Sequence, residues 1–278
     1  MAKIGTAKIL TGSGTETVDV YDVADNPDMP LRILTSNGVG IIPSTVPVGW
    51  STSIRFLSSS GVQAVTNPQT LGNGFAGGNG NKYYWTAPDG LLGQVTIRVE
   101  GAGGGGAMSE DGSDGGNGRA GGKIVAEVDV QPGETLYLYA GEGGRRVTYT
   151  SRGRGGWGAH NGGGGSYGGE GYGGNGGGSS EVRLNSDTDS ATILSAGGGQ
   201  GGTNPYSGGS GGGHAGEGGG GEGSAVNYGS RILSQTTTVG GGGAGGIGRE
   251  NNYSSDHGGD GYIMIDYLAT EPADYGSL

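Results

Sequence analysis

From Gly162 onward, glycine recurs at positions 162, 165, 168, 171, 174 and 177 without a miss. The same three-residue step runs through Gly112, Gly115, Gly118 and Gly121, and again through Gly240, Gly243 and Gly246. An α-helix repeats every 3.6 residues and a strand every two, so neither explains this step. Glycine also costs about 1 kcal/mol at each helical position. A period of three belongs to the left-handed helix of the polyproline II type, which makes no hydrogen bonds to itself. Glycine along one edge leaves that edge bare, so a neighbour can approach. Every N–H and C=O must then find a partner outside its own helix, with weak Cα–H···O contacts assisting. The expectation is a bundle of polyglycine II helices. Collagen shares the period but needs proline throughout long runs. Here only Pro205 falls among the glycine blocks, and strand-like segments interrupt them.

Seventy-three of 278 residues are glycine, and hydrophobic residues make up only 31%. Too few aliphatic side chains remain for one large oily core, and at 15% charged residues the chain lacks the charge of an ordinary disordered tail. Ordering a glycine costs more backbone entropy than ordering any other residue, so the strands between the blocks must organise a cooperative fold. Cysteine is absent, which excludes disulfides and thiolate metal sites. A net charge of −11 argues against coating nucleic acid or an anionic membrane. No apolar stretch follows Met1–Thr6 as in a signal peptide, and none approaches the roughly 20 residues of a membrane helix. The expectation is synthesis in a cytoplasm without membrane insertion.

Composition changes near residue 70. Before it, short alternating runs such as Thr17–Tyr21, Leu31–Leu34 and Ser53–Phe56 read as antiparallel strands, with Asn37-Gly38 as a hairpin turn. After it come strand candidates at Gln94–Glu100, Lys123–Val130, Glu134–Ala140, Glu181–Leu184, Ala191–Ala196 and Gly261–Leu268. Gln131-Pro132-Gly133-Glu134 reads as a turn between two of them. The expected organisation is an all-β chain: a small β module over 1–72, a linker at 73–82, a glycine-rich domain over 83–270 and a tail at 271–278. About 70 residues form only a marginal core, so the module is expected to lean on a partner chain or on the rest of its own.

Tyr84-Trp85-Thr86-Ala87-Pro88-Asp89-Gly90, then a strand, then Gly101-Ala102-Gly103-Gly104-Gly105, resembles the opening of glycine-rich domains. These occur in bacterial and phage proteins and in the ectodomains of anaplastic lymphoma kinase and leukocyte tyrosine kinase. Leu194-Ser195-Ala196-Gly197-Gly198-Gly199 is similar to that family's later strand-to-glycine junction, and His257-Gly258-Gly259-Asp260-Gly261-Tyr262-Ile263-Met264-Ile265 to its closing strand. The resemblance spans residues 83–268. It implies a β-sandwich of tumour-necrosis-factor-like (TNF-like) type with polyglycine II helices inserted between its strands. Ile41–Trp50, Ser53–Phe56 and Gly61–Val65 resemble a small β module of phage fibres. The missing signal peptide, cysteines and membrane helix depart from the kinase ectodomains and fit a fibre or spike of a tailed virus. The resemblance and these absences together imply a non-enzymatic virion protein, without cofactor, forming a homo-oligomer with a trimer foremost. Its N-terminal module would contact other virion proteins, and its glycine-rich domain a host surface glycan or protein. The alternative is a capsid decoration or turret protein without a receptor.

Recognition would live in the non-glycine insertions, because loops fixed to a rigid scaffold carry binding. Arg145, Arg146, Arg152 and Arg154, with Tyr149 and Trp157 among them and His160 beyond, form a cationic and aromatic cluster suited to stacking on sugars or gripping acidic glycans. A solvated or subunit-contacting loop is the competing reading. Tyr206, Tyr228 and Tyr253 sit on further insertions and are receptor candidates beside seam-covering alternatives. His160, His214 and His257 show no zinc spacing, and the row Asp19, Asp22, Asp25, Asp28 lacks the calcium-loop pattern. Gly208-Gly209-Ser210-Gly211-Gly212 matches a hydrolase elbow in form only, with no strand before it and no helix after. No metal and no catalytic residue is expected.

Overall fold

The computed structural model describes residues 3–11, 14–21, 32–35, 38–41, 50–57, 62–64, 81–109, 115–148, 153–168, 171–203, 208–213, 221–249 and 255–270, those before residue 82 and at 167–168 by backbone alone. Contacts divide the chain into two units, Met1–Gly49 and Trp50–Leu278. In the first unit, β1 (Lys3–Thr11), β2 (Gly14–Tyr21), β3 (Arg32–Thr35) and β4 (Gly38–Ile41) pair in sequence order as one antiparallel sheet.

The second unit begins with β5 (Trp50–Leu57), β6 (Val62–Ala64), β7 (Asn81–Thr86) and β8 (Leu91–Glu100). It continues with β9 (Met108–Ser109), β10 (Lys123–Val128), β11 (Thr135–Ala140), β12 (Tyr167–Gly168) and β13 (Gly171–Tyr172). Last come β14 (Ser180–Leu184), β15 (Thr192–Ala196), β16 (Ala225–Asn227), β17 (Ile232–Thr238) and β18 (Tyr262–Ala269). They form a six-stranded sheet ordered β17-β10-β8-β18-β5-β6, a five-stranded sheet ordered β16-β15-β14-β11-β7, and a small sheet β12-β13-β9. All strand pairs are antiparallel, and the only helical element among the described residues is one 3₁₀ turn, Asp189–Ala191. The all-β expectation holds at this level. The contact boundary falls at Gly49, whereas the composition break falls near residue 70. Glycine content tracks where the glycine segments begin; contacts track the strands, and β5 pairs along the whole of β18, from Tyr262↔Leu57 to Ala269↔Trp50.

Alternation builds the core. Val95, Ile97 and Val99 of β8, Ile124, Ala126 and Val128 of β10, and Ile263 and Ile265 of β18 are buried from one sheet. Tyr83 and Trp85 of β7, Leu136 and Leu138 of β11, Val182 of β14 and Leu194 of β15 are buried from the other. The two sets form one cluster, with the rings of Trp85 and Tyr267 5.2 Å apart. The turn at Gln131–Glu134 forms as the sequence indicates: Glu134 N–H donates to Gln131 O at 3.0 Å, and Gly133 takes φ +79°, a value its position in a type II turn demands.

The glycine segments extend from one end of these sheets. β8, β11, β15 and β17 each run on into a glycine segment, and β10, β14, β16 and β18 each follow one. Residues 101–107 lie at the centre. Gly101, Gly104 and Ala107 donate to Gly122, Arg119 and Gly116; Ala102 and Gly105 donate to Gly178 and Asn175; Gly103 and Gly106 donate to Gly259 and Asp256. Their carbonyls accept from Gly243, Gly246 and Arg249, from Gly199 and Gly202, and from Gly144. The central segment thus bonds to six neighbours, and the direction of each bond repeats every third residue.

Two details differ from the simple period. More than one edge must be bare: in the outer segment 115–122 a Cβ at Gly115, Gly118 or Gly121 would strike the carbonyl of Ala107, Gly104 or Gly101, and one at Gly116 or Gly122 that of Thr203 or Ser224. At the centre, four consecutive positions, Gly103–Gly106, are each closed by neighbouring backbone. The run from 162 to 177 is also broken, because Gly168 and Gly171 pair across β12 and β13 rather than lying in a bundle segment.

Candidate functional site

Glu142, one residue past the glycine that follows β11, organises the arginine insertion. Its carboxylate accepts from Arg145 at 2.6 Å, from Arg154 at 2.7 Å and from the Trp157 N–H at 3.4 Å. The Arg154 guanidinium lies 3.3 Å from the Trp157 ring centroid, a stacked cation–π contact. Arg145, Arg154 and Trp157 therefore come together as the sequence indicates, but one carboxylate balances two of the cations and one face of the indole is covered. Arg146 remains exposed, and its N–H donates to His257 Nδ1 at 3.4 Å. That contact joins the insertion to the segment before β18, where a shallow depression of about 270 Å³ is lined by Glu142, Gly143, Arg145, His257, Gly258 and Asp260. Burial, then the charges of Arg146 and Arg145, pull the His257 pKa below its ordinary value. The neighbouring cations thus favour the neutral form of the His257 imidazole. Tyr228 follows β16, 40% exposed, its N–H donating to Ile193 O. Tyr149, Arg152, Tyr206, Tyr253 and His214 lie outside the described residues.

His160 belongs to a different site. Its N–H donates to Ser179 Oγ at 2.9 Å, and its Nε2 pairs with Glu181 Oε1 at 3.1 Å. Glu181 is fully buried, and its Oε2 accepts from Arg183 at 3.1 Å and from the Thr192 hydroxyl at 3.3 Å. Arg183, 5% exposed, also pairs with Asp189, donates to Asp187 O at 2.9 Å and lies 4.4 Å from the Tyr139 ring centroid. Beside it Lys82 pairs with Asp187 and sits over the rings of Tyr84, Tyr137 and Tyr139. Sequence reading missed this network, although one signal was there. Glu181 and Arg183 are two apart in a strand and so share a face, opposite core-facing Val182.

The donor atoms of His160, Glu181 and Asp189 lie within 4.8 Å of one another, a set of metal-ligating types. Arg183, however, already holds both carboxylates. With His160 protonated, two cations balance Glu181 and Asp189, and Lys82 balances Asp187.

The hydrogen bond with Glu181 raises the His160 pKa, assisted by the charges of Glu181 and Asp189 and opposed by burial and Arg183. A raised folded-state pKa contributes stability that is full below the unfolded value, about 6.5. It is lost as pH rises through the folded value. Thermal stability is thus expected to fall as pH climbs above that point, and His160→Gln should remove this part of the slope. Melting curves across pH 5.5–9 check it (roughly the span in which imidazole titrates); an unchanged slope in the variant refutes the assignment. Compared with models of known protein families and with curated proteins, the sequence matches none.

Proposed function

We propose that this protein is a virion structural protein, a tail-fibre or spike subunit of a tailed virus whose glycine-rich domain binds the host surface. On this reading the glycine segments are polyglycine II helices inserted between the strands of a TNF-like β-sandwich, and the role is non-catalytic. The three-residue repeat of bond direction around residues 101–107 carries the reading. A helix with three residues per turn and no internal bonds places its donors this way. Such a bundle uses its backbone for cohesion and offers little chemistry of its own, so discrimination falls to the insertions. Arg145–His160 and Arg249–His257 meet at the Arg146–His257 contact, with Tyr149, Arg152 and Tyr253 on the same two insertions. Host surface glycan or protein is the proposed partner there, other virion proteins at the N-terminal unit, and further copies of the chain in a homo-oligomer with a trimer foremost.

A capsid decoration or turret protein without a receptor is the second reading. It is favoured by the internal use of the cluster, since Glu142 neutralises Arg145 and Arg154 and Arg154 covers Trp157. The test is attachment of purified protein to candidate host cells and competition with infection. Tyr149→Ala with Trp157→Ala is expected to weaken attachment while melting temperature and assembly hold. Each stacking or cation–π contact is worth about 0.5–2 kcal/mol, and multivalent display magnifies the loss. A double variant that folds and attaches normally removes the receptor role from this cluster. Failure to fold makes the aromatics structural.

A further inference from the structure

We infer, independently of the fibre reading, that β17 is a docking edge for a second copy of this chain, joined by antiparallel pairing of β17 with itself. In the sequence, Ile232–Thr238 falls within an insertion; it is instead the terminal strand of the six-stranded sheet, paired with β10 on one side and, among the described residues, with no strand on the other. From Leu233 to Thr238 every side chain is exposed. Leu233 is 53% exposed and Val239 62%, with Val226 and Tyr228 exposed nearby. Behind the strand, Asn227 of β16 donates to Gln235, which fixes its position.

Natural sheet edges are blunted by lysine, proline, inward charges or cover. A bulge is a further such device, and the one register shift of β17 lies at Leu233, between Ser234 and Ile232; from Ser234 to Thr238 the strand is regular and carries none of these residues. Its sequence Ile-Leu-Ser-Gln-Thr-Thr-Thr is rich in β-branched residues, and no charge occurs between Arg231 and Arg249. The chain as a whole carries −11, so two copies repel over most approaches. An uncharged stretch is where like molecules can meet. The strand also suits itself. A twofold axis normal to the sheet relates residues of the same face, so centring it on Thr236 sets that residue opposite its own copy. Ser234 then lies opposite Thr238 and Gln235 opposite Thr237, a ladder that stays clear of the register shift at Leu233. Both partners keep their faces aligned, and the two six-stranded sheets become one. Such a contact is isologous and closes at two copies.

The test is sedimentation equilibrium of the full chain with two variants. The native chain is expected to associate in pairs through β17, as a dimer or as two trimers joined by twofold contacts, with β17 amides protected from hydrogen exchange at high but not at low concentration. Thr236→Lys sets like charges directly opposite and Gln235→Lys adds a charge to the edge, so each should raise the dissociation constant by roughly tenfold or more. Gln131→Lys, the same charge on the exposed turn after β10, should leave it unchanged. Circular dichroism and melting of the monomeric variants confirm that they fold. A native monomer with unprotected β17 amides overturns the inference and leaves the edge to a strand of a different chain. An assembly of any size that Gln235→Lys and Thr236→Lys leave intact overturns it as well.

Discussion

Gly104→Ala is expected to abolish the cooperative fold of the second unit. A Cβ at this position would lie 2.0 Å from the carbonyl oxygen of Gln200, with the Gly201 nitrogen at 2.7 Å. The obstruction is backbone, so no rotamer change relieves it. Moving residues 197–202 away breaks their bonds to Ala102 and Gly105 and, in turn, their bonds to the segment at 174–177. Overpacking in an ordinary core costs about 1–3 kcal/mol because side chains yield. Here the displaced groups are bonded main chain, and the loss is expected to reach much of the roughly 5–15 kcal/mol that holds a domain together. Gly221→Ala is the matched control. A Cβ there meets nothing within 4 Å, and a change of about 0.5 kcal/mol or less is expected. Calorimetry of the two variants settles the comparison; equal tolerance would mean that the glycines are not required for close approach.

The second large effect is expected at Arg183. Its loss leaves Glu181, fully buried, with His160 and the Thr192 hydroxyl as its remaining described partners. Removing one partner of a buried ion pair costs about 3–5 kcal/mol, because the other charge stays desolvated. Arg183→Ala should therefore lower the melting temperature by about 6–20 °C for a unit of this size. Glu181→Gln combined with Arg183→Met removes both charges at similar volume and should recover most of that loss. A double variant no better than Arg183→Ala would show that the arginine acts through packing on Tyr139 rather than through charge. The same cycle bears on His160, whose raised pKa depends on Glu181 being ionised.

Strands with apolar residues at alternate positions were legible, because β8, β10, β11 and β18 each turn their alternate apolar residues to a shared core. β17 was not. Its side chains are exposed on both faces, so burial imposed no alternation, and a run of threonines reads as a loop. The short β16 gave too little pattern. In the glycine blocks the period indicated lateral bonding, yet it could not show which segments sit at the centre. That depends on contacts between residues more than a hundred positions apart, such as Gly103 with Gly259. The arginine insertion was found from composition alone. Its organising residue, Glu142, lies outside that window, and His160, counted with the arginines, is drawn away by Glu181 on another strand. Charge clusters are visible in a sequence; the partner that neutralises them is a property of the fold.

The six neighbours of residues 101–107 are spread along the chain from Gly116 to Gly259. During synthesis the central segment emerges early and must wait. The last of its partners, residues 256–259, leaves the ribosome some 150 positions later, so the middle of the bundle cannot be completed from the nascent chain's own local contacts. Loop closure over such separations slows folding. Until then, glycine-rich backbone with unmade bonds stands in water, which satisfies it at no cost in aggregation-prone apolar surface. A bundle held by main chain rather than by oily side chains therefore adds no apolar surface of its own while it waits for its last partners.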